Sequence, residues 1–507
     1  MQKILVYLSG HQGFLNFGML KKLQEKIPIK IYAIIDQGQQ PKEFYQKQKF
    51  VKFEKIWHYT DFVKPFSKPN IKYLKKIEDE FQINLWKIAY SDPVFFVFNG
   101  KSNFEEDEIL SLVENDCKLF ENVIKEINPD FLEIHTAGQK QVNILREMCM
   151  SKQIKILQYG SAKFGLRIQI SQDYDILDEF KETPQIAIDE KLTTEFLEEL
   201  KKELNLLKYY KKVAKNTKNK KKEFFIKTFS NITKIKKESS KQYVNFKNQN
   251  IIKIYLKIIK DNISKIQRKK FLDKNAIKEI PKDEKFVIFP LHMQPEHTTS
   301  VITPFFTDQI SIIRNIARSL PVDYFLYVKE HPSMGTYLYW RDIEYYKKIQ
   351  DMPNVRLIHP DVNSLSLYEK SRLILTVNGS ASTESLLLKK PAIVFANVSS
   401  MITDTVTKVE TIEKLPEIIK KSLEKKIEGI GSKRFFVQKL NETIKHDSSS
   451  TLGKNIHEKL FIQGIKLFNV TEKKMREIFE ENDDDLNILA EEYLRKIFQW
   501  NKFKNSN

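Results

Sequence analysis

Short apolar runs that stop abruptly at polar strings punctuated by Gly and Pro recur along this chain, and no other feature restricts its fold as strongly. In the second half, runs at residues 285–291, 323–328 and 372–377 end in Pro290-Leu-His-Met-Gln-Pro-Glu296, Lys329-Glu-His-Pro332 and Asn378-Gly-Ser-Ala-Ser382, and a fourth run follows at 391–398. Runs this short, apolar on both faces and alternating with helix formers, mark a parallel sheet. The ligand site of such a sheet lies in the loops beyond the carboxyl ends of its strands. The three strings fall there.

At 507 residues the chain is too long for one typical core. Residues 1–180 show the same rhythm, with runs at 3–8, 29–35, 93–98, 130–133 and 154–158 and a helix expected over 106–127, so they read as a Rossmann-like unit. Residues 281–425 form a second such unit, with further strands at 355–358 and around 408–411 and helices at 308–320, 343–350, 364–369 and 382–388. The last helix opens with Ser382-Thr383 ahead of Glu384, as a cap would. Between the units, residues 181–280 contain almost no Gly or Pro and place apolar residues at helical spacing: Phe224, Phe225, Thr228 and Ile232, then Ile251, Ile254, Tyr255, Ile258 and Ile259. This is a basic helical insertion. Residues 426–507 are helical and polar, with an acidic cluster at 480–485, and are expected to pack across the two units or extend the second.

The net charge of +19 is not spread evenly: residues 201–280 hold 25 Lys and Arg against 6 acidic residues, which accounts for all of it. A local anionic partner or a solvated insertion follows. Cationic amphipathic helices suit an anionic membrane surface, and the helical spacing of the aromatics argues against nucleic acid. Cys117 and Cys149 are too few for a disulfide framework and read as two buried thiols. The apolar run of the N-terminus is too short for a signal-peptide core, and no stretch approaches the ~20 apolar residues of a membrane span. The expectation is a cytoplasmic protein, peripheral at the inner face of the plasma membrane if the basic insertion binds lipid.

A sugar nucleotide presents phosphate, a ribose diol, a base and a sugar, so its host needs donors for the charged oxygens and an acceptor for the diol. Gly379 lets backbone approach closely, and the N–H groups of Ser380, Ser382 and Thr383 point out of the coming helix, with Asn378 ahead of them. Glu384 faces the same cleft, where a carboxylate accepts from ribose hydroxyls. A plain strand-to-helix turn has the same composition. Lys329 and His331 end one strand, and Pro332 presents His331 rigidly to a phosphate or a leaving group. The other His-Pro pair, His359-Pro360, precedes Asn363-Ser364 and reads as a strand-end turn leading to a helix cap. His292, Gln294, Glu296 and His297 crowd one Pro-bracketed loop that neither core packing nor helix formation requires. His292, Glu296 and His297 could ligate zinc, but no Cys or further His lies at metal spacing, so neither metal nor cofactor is expected.

With those motifs, residues from about 285 to 400 resemble the capsular polysaccharide biosynthesis family, in which a strand ending in Pro-Leu-His-x-Gln-Pro-Glu is followed by Val-Lys-Glu-His-Pro and a Gly-Ser turn before Glu. The first unit agrees in pattern, with Arg167 after Phe164-Gly165 as its best echo, and Lys390-Pro391 also fits. The resemblance implies an α/β, GT-B-like architecture: two Rossmann-like parallel-sheet units facing a cleft. It implies a glycosyltransferase acting from a nucleotide-sugar donor on a capsule-type polysaccharide or glycolipid acceptor; some relatives transfer Kdo from CMP-Kdo. By resemblance, His331 and the turn at 380–382 hold the phosphate and Glu384 the ribose. Glu296 and His331 are the candidate catalytic groups of this unit. A base is expected from the first unit, with Glu133 and His11 ahead of Asp36 and His135, each of which also reads as a satisfied polar residue at a sheet edge. A CDP-polyol phosphotransferase and a non-catalytic membrane scaffold remain as alternatives.

Overall fold

The computed structural model describes residues 1–92, 94–95, 104–135, 138–163, 167–174, 176, 178, 195, 251–281, 283–294, 297–331, 334, 341–427, 429–446, 453–460 and 468–504. The strands are β1 (Gln2–Ser9), β2 (Ile29–Asp36), β3 (Phe53–His58), β4 (Phe131–Ile134), β5 (Lys155–Ser161), β6 (Arg167–Ser171), β7 (Phe286–Pro290), β8 (Phe325–Lys329), β9 (Val355–Ile358), β10 (Ile374–Thr376), β11 (Ala392–Val394), β12 (Val406–Lys408) and β13 (Ile444–Lys445). They form two sheets, ordered β13-β6-β5-β4-β1-β2-β3 and β12-β11-β10-β7-β8-β9. Every neighbouring pair of the second sheet is parallel. The first is parallel from β5 to β3 and antiparallel where β6 meets β5 and β13. The expected pair of Rossmann-like units is present.

Burial on both faces explains why these runs are apolar throughout: Ile4 to Leu8 of β1 are each at most 2% exposed. Helices Ile71–Phe81, Leu85–Ser91, Glu106–Ile127 and Lys140–Ser151 cover one face of the first sheet. The other face is covered by Gln12–Lys26 and by the C-terminal tail: Ile456, Leu460, Met475, Phe479, Leu486, Leu489, Tyr493, Ile497 and Trp500 share a core with β1 and β2. The approach is close, because a Cβ on Gly18 would lie 2.9 Å from both Leu486 and Phe479. On its way back the tail serves the second unit as well, through Phe435 and Phe436.

Local chemistry sets most helix starts in the second unit. Asp308 accepts from Ile310 N and Ser311 N, Asp342 from Tyr345 N, and Asn363 from Ser366 N. Three expectations shift. The helix expected from 382 begins at Ser380, with Gly379 in the cap position and no side-chain cap. Strand β12 ends at Lys408, where a strand was expected to start. Val94 and Phe95 form a turn, with Phe95 wholly buried among the helices of the first unit; the rest of 93–98 lies outside the described residues. Strands β3 and β6 carry a weak sequence signal: in β3 Glu54 and Lys55 interrupt the apolar residues, and β6 mixes Gln and Arg into its apolar pattern.

Of the basic insertion, residues 201–250 lie outside the described residues, and 251–275 form one helix. Its end is built into the second unit: Leu272 and Ala276 join that core, and buried Arg268 donates to Arg341 O at 2.9 Å. Among the described residues, no helix is long and apolar enough to cross a membrane. If the tail completes the first core, Leu489→Ala should lower stability by about 2–5 kcal/mol in chemical denaturation. An unchanged transition would show that the tail does not bear on that core.

Candidate functional site

In a doubly wound sheet the crevice opens where the strand order reverses, between β7 and β10 in the second unit and between β1 and β4 in the first. The chain leaves β7 at Leu291 and presents His292, whose Nε2 lies 3.0 Å from Thr376 Oγ1 at the end of β10. Asn378 N–H donates to the same nitrogen at 3.4 Å, which makes Nε2 the lone-pair nitrogen and puts the ring proton on Nδ1. Burial, with positive charge on Lys163, His331 and Arg341 adding to it, pushes the imidazole down to about 3, so the ring is neutral. It packs on the next turn: Gly379 has φ +138, and a Cβ there would meet His292 Cε1 at 3.1 Å. Glycine is required for both reasons.

Gly379 opens the Ser380–Leu387 helix; Ser382 N–H donates back to Gly379 O at 3.4 Å, and the N–H groups ahead of it precede the bonds of the helix itself. Ser382 Oγ donates to Gly379 O at 3.0 Å and accepts from Ser400 Oγ at 3.1 Å, holding the turn from behind; Thr383 is buried beside it. Glu384 is partly exposed one turn in. Burial raises its carboxyl pKa, opposed by a hydrogen bond from exposed Ser380.

His331 follows β8, its backbone N–H donating to Glu330 Oε1 at 2.6 Å. Glu330 is a buried clamp, ion-paired with Arg341 and accepting from Tyr346 OH at 2.6 Å. Arg341 also donates to His292 O, so one buried ion pair sets the backbone at the ends of both β7 and β8. Sequence reasoning passed over Glu330 and Arg341, since a lone Glu beside Lys-His-Pro and an Arg in a later loop carry no pairing signal.

Other expected residues are engaged elsewhere. Lys329 is buried, with Nζ donating to Pro360 O at 3.2 Å. Gln294 donates to Thr307 O and accepts from Gln309, both at 2.6 Å, and so braces the loop. Lys390 donates to Ser371 O at 3.1 Å. His297 starts a short helix, its ring 4.5 Å from that of Tyr174 in the first unit, and burial pushes it down to about 3. Glu296 and Pro332 lie outside the described residues. His359 meets Asp273 at 3.1 Å, away from the crevice.

At the crevice of the first unit, His11 ends β1 and His135 ends β4. His135 stacks on Tyr159, centroids 4.6 Å apart, and is pushed down to about 3 by burial, with His11 adding to it. Asp36, at the end of β2, accepts from Tyr7 OH at 3.0 Å and Gln141 Nε2 at 3.2 Å, and burial raises its pKa. Arg167 is tied to Thr443 Oγ1 at 2.9 Å. Glu133 is not in the crevice. Its Oε1 accepts from Asn16 at 2.5 Å and from Tyr493 of the tail at 3.0 Å, and the side chain is 1% exposed.

Burial pushes Glu133 up to about 8 from an ordinary 4.5, against the two hydrogen bonds. The folded protein therefore keeps a proton that the unfolded chain releases, and stability should fall as pH rises through that window. Unfolding measured from pH 4.5 to 8 should show this loss in the wild type and a flatter profile in Glu133→Gln. Parallel profiles would refute the buried acid.

A family model described as capsule polysaccharide biosynthesis protein matches residues 175–399, which include β7 to β11 and both crevice loops of the second unit. No curated protein matches the chain. Similar solved structures include the UDP-GlcNAc 2-epimerase from Neisseria meningitidis, at 15% identity and a TM-score of 0.26 over 87% of this chain and 100% of that one. The enzyme of the same name from Methanocaldococcus jannaschii has 14% identity and a TM-score of 0.26 over 87% and 99%. Thermosulfurimonas dismutans KpsC, a beta Kdo 2,7 transferase, has 10% identity and a TM-score of 0.27 over 67% and 88%. At these identities and scores the likenesses bring no chemistry to this chain. The stretch that carries the motifs, residues 175–399, is thus the part of this chain that is similar to the capsule polysaccharide biosynthesis family.

Proposed function

We propose that this protein is a GT-B-type glycosyltransferase that moves a sugar from a nucleotide donor held on the second unit to a polysaccharide or glycolipid acceptor facing the first. The observation that supports this best is the convergence at the β7/β10 crevice of the neutral His292 ring, the Gly379 turn and the start of the Ser380–Leu387 helix. Backbone N–H groups at a helix start, reached through a glycine, suit a phosphate. Glu384, one turn further, is the acceptor for a ribose diol.

In the proposed step the bond from the anomeric carbon to the phosphate oxygen breaks and a bond to the acceptor hydroxyl oxygen forms. The hydroxyl proton passes to a base, and the electron pair leaves with the nucleotide phosphate. Charge growing on that phosphate is met by the helix-start amides and by His331, whose backbone Glu330 pins. Glu296 keeps its place as a candidate of the same loop. With Glu133 under the tail, the base is to be sought among His11, Asp36 and His135. No metal is invoked, because donors for the leaving phosphate are already supplied by the chain.

The basic stretch 201–280 is proposed to hold the enzyme at the anionic inner face of the plasma membrane, where lipid-linked acceptors are grown. Its charge supports this, as do Ile263 and Ile266, 52% and 59% exposed, on the helix that carries exposed Lys265, Lys269 and Lys270.

His331→Ala should abolish transfer while circular dichroism stays unchanged; a fully active variant would sink the assignment. CMP or UDP should raise the melting temperature of the full chain, and stabilisation by neither favours a scaffold. Transfer should survive treatment with EDTA, whereas a loss restored by added Mg²⁺ would overturn the metal-free reading.

A further inference from the structure

The β5–β6 hairpin of the first unit is docked on the second. Ala162, at its turn, is wholly buried in the second core with Ile288, Ile374 and Ala381. Arg167 and Gln169 carry the contact on to the C-terminal tail, through Thr443 and Lys439. Next to Ala162, Lys163 adopts φ +60, a left-handed conformation uncommon for a residue with a side chain. This backbone sends its side chain to the crevice of the other unit: Nζ donates to Asn378 Oδ1 at 2.7 Å and lies 5.6 Å from the centre of the Tyr174 ring.

Asn378 is the informative partner. It is 0% exposed and immediately precedes Gly379. With Oδ1 turned to Lys163, its Nδ2 is left buried without a hydrogen-bond partner. A buried donor left unsatisfied is costly, and such groups in native proteins call for an explanation. A ligand oxygen at the Gly379 turn would supply the missing acceptor. The surroundings suit an anion: His292 is neutral, so it offers a proton without demanding a counter-charge, and Lys163 is one of the groups that keep it so.

We infer that Lys163 completes the phosphate site of the second unit from across the crevice, its ammonium and Asn378 Nδ2 meeting the same anion as the Gly379 turn. The inference rests on the donor-site reading above and adds a residue which that reading does not use. An ammonium carries three donors, so Lys163 can keep Asn378 Oδ1 and still donate to a phosphate oxygen. Anion binding then fastens the first unit to the second, and an unphosphorylated ligand does not receive this contribution. Lys163 is thereby a specificity residue for the phosphate, separate from the groups that face sugar or ribose.

The test is calorimetric titration of the full chain with CMP and with UDP, at low and high ionic strength, for the wild type, Lys163→Ala and Lys163→Arg. Lys163→Ala should weaken the nucleotide that the wild type binds by roughly 10- to 100-fold at low salt. The difference should shrink at high salt, and Lys163→Arg should recover most of the affinity. Wild-type affinity in Lys163→Ala overturns the inference and leaves the donor site standing. So does a loss independent of salt that Arg does not restore, because a packing role predicts that pattern. A wild type that binds neither nucleotide removes the donor-site reading itself, and this inference with it.

Discussion

The structure depends on covering the second apolar face of the first sheet. A parallel sheet buried on both sides must be covered on both, and on one side Gln12–Lys26 shares that work with the last helices of the chain. That requirement draws the C-terminus back across the second unit, adds β13 to the edge of the first sheet and places Tyr493 over Glu133. A carboxyl at the end of β4 is thereby removed from the crevice and held under a lid of tail. Among the described residues, the returning tail and the β5–β6 hairpin, whose Ala162 is buried in the second core, both fasten the two units together.

Within that frame the crevices acquire their chemistry from burial. His292, His297 and His135 are all held far below the usual imidazole range by desolvation, so they act as neutral polar groups. Positive charge at the second crevice is therefore contributed by other side chains. Arg341 is committed to Glu330 and Lys329 donates to backbone carbonyls, whereas Lys163 arrives from the other unit. The buried Glu330–Arg341 pair has a positional effect, since one guanidinium holds the carbonyl of His292 while its carboxylate partner holds the N–H of His331. Removing either partner would leave a buried charge uncompensated and release the strand end which that partner holds.

Much of the fold was legible in residue patterns. Strand ends at Pro290, Lys329 and Thr376, the helices over 106–127 and 343–350, and the cap at Asn363 follow from short-range rules of apolar runs and side-chain oxygens. The importance of Gly379 was legible too, because a glycine between an apolar run and a helix has few other uses. Strand β3 was not legible because Glu54 and Lys55 interrupt its apolar residues, and Phe95 misled because burial under helices looks the same in sequence as burial in a strand. Lys329 and Gln294 were rightly located at strand ends, but the direction of a side chain there is set by which carbonyl or amide lies opposite.

By itself, then, the sequence determined two doubly wound units, the order of the motif loops and the likeness of the second unit to a known family, since these depend on periodicity and on residues close together along the chain. Tertiary structure alone decided that Glu133 is covered by Tyr493, that Arg341 clamps Glu330, and that Lys163 reaches Asn378 across 215 positions. The first and last of those contacts join groups far apart in the chain, and the second joins two residues 11 positions apart that carry no pairing signal. Their existence depends on how two sheets and a returning tail close on one another, which no local pattern encodes.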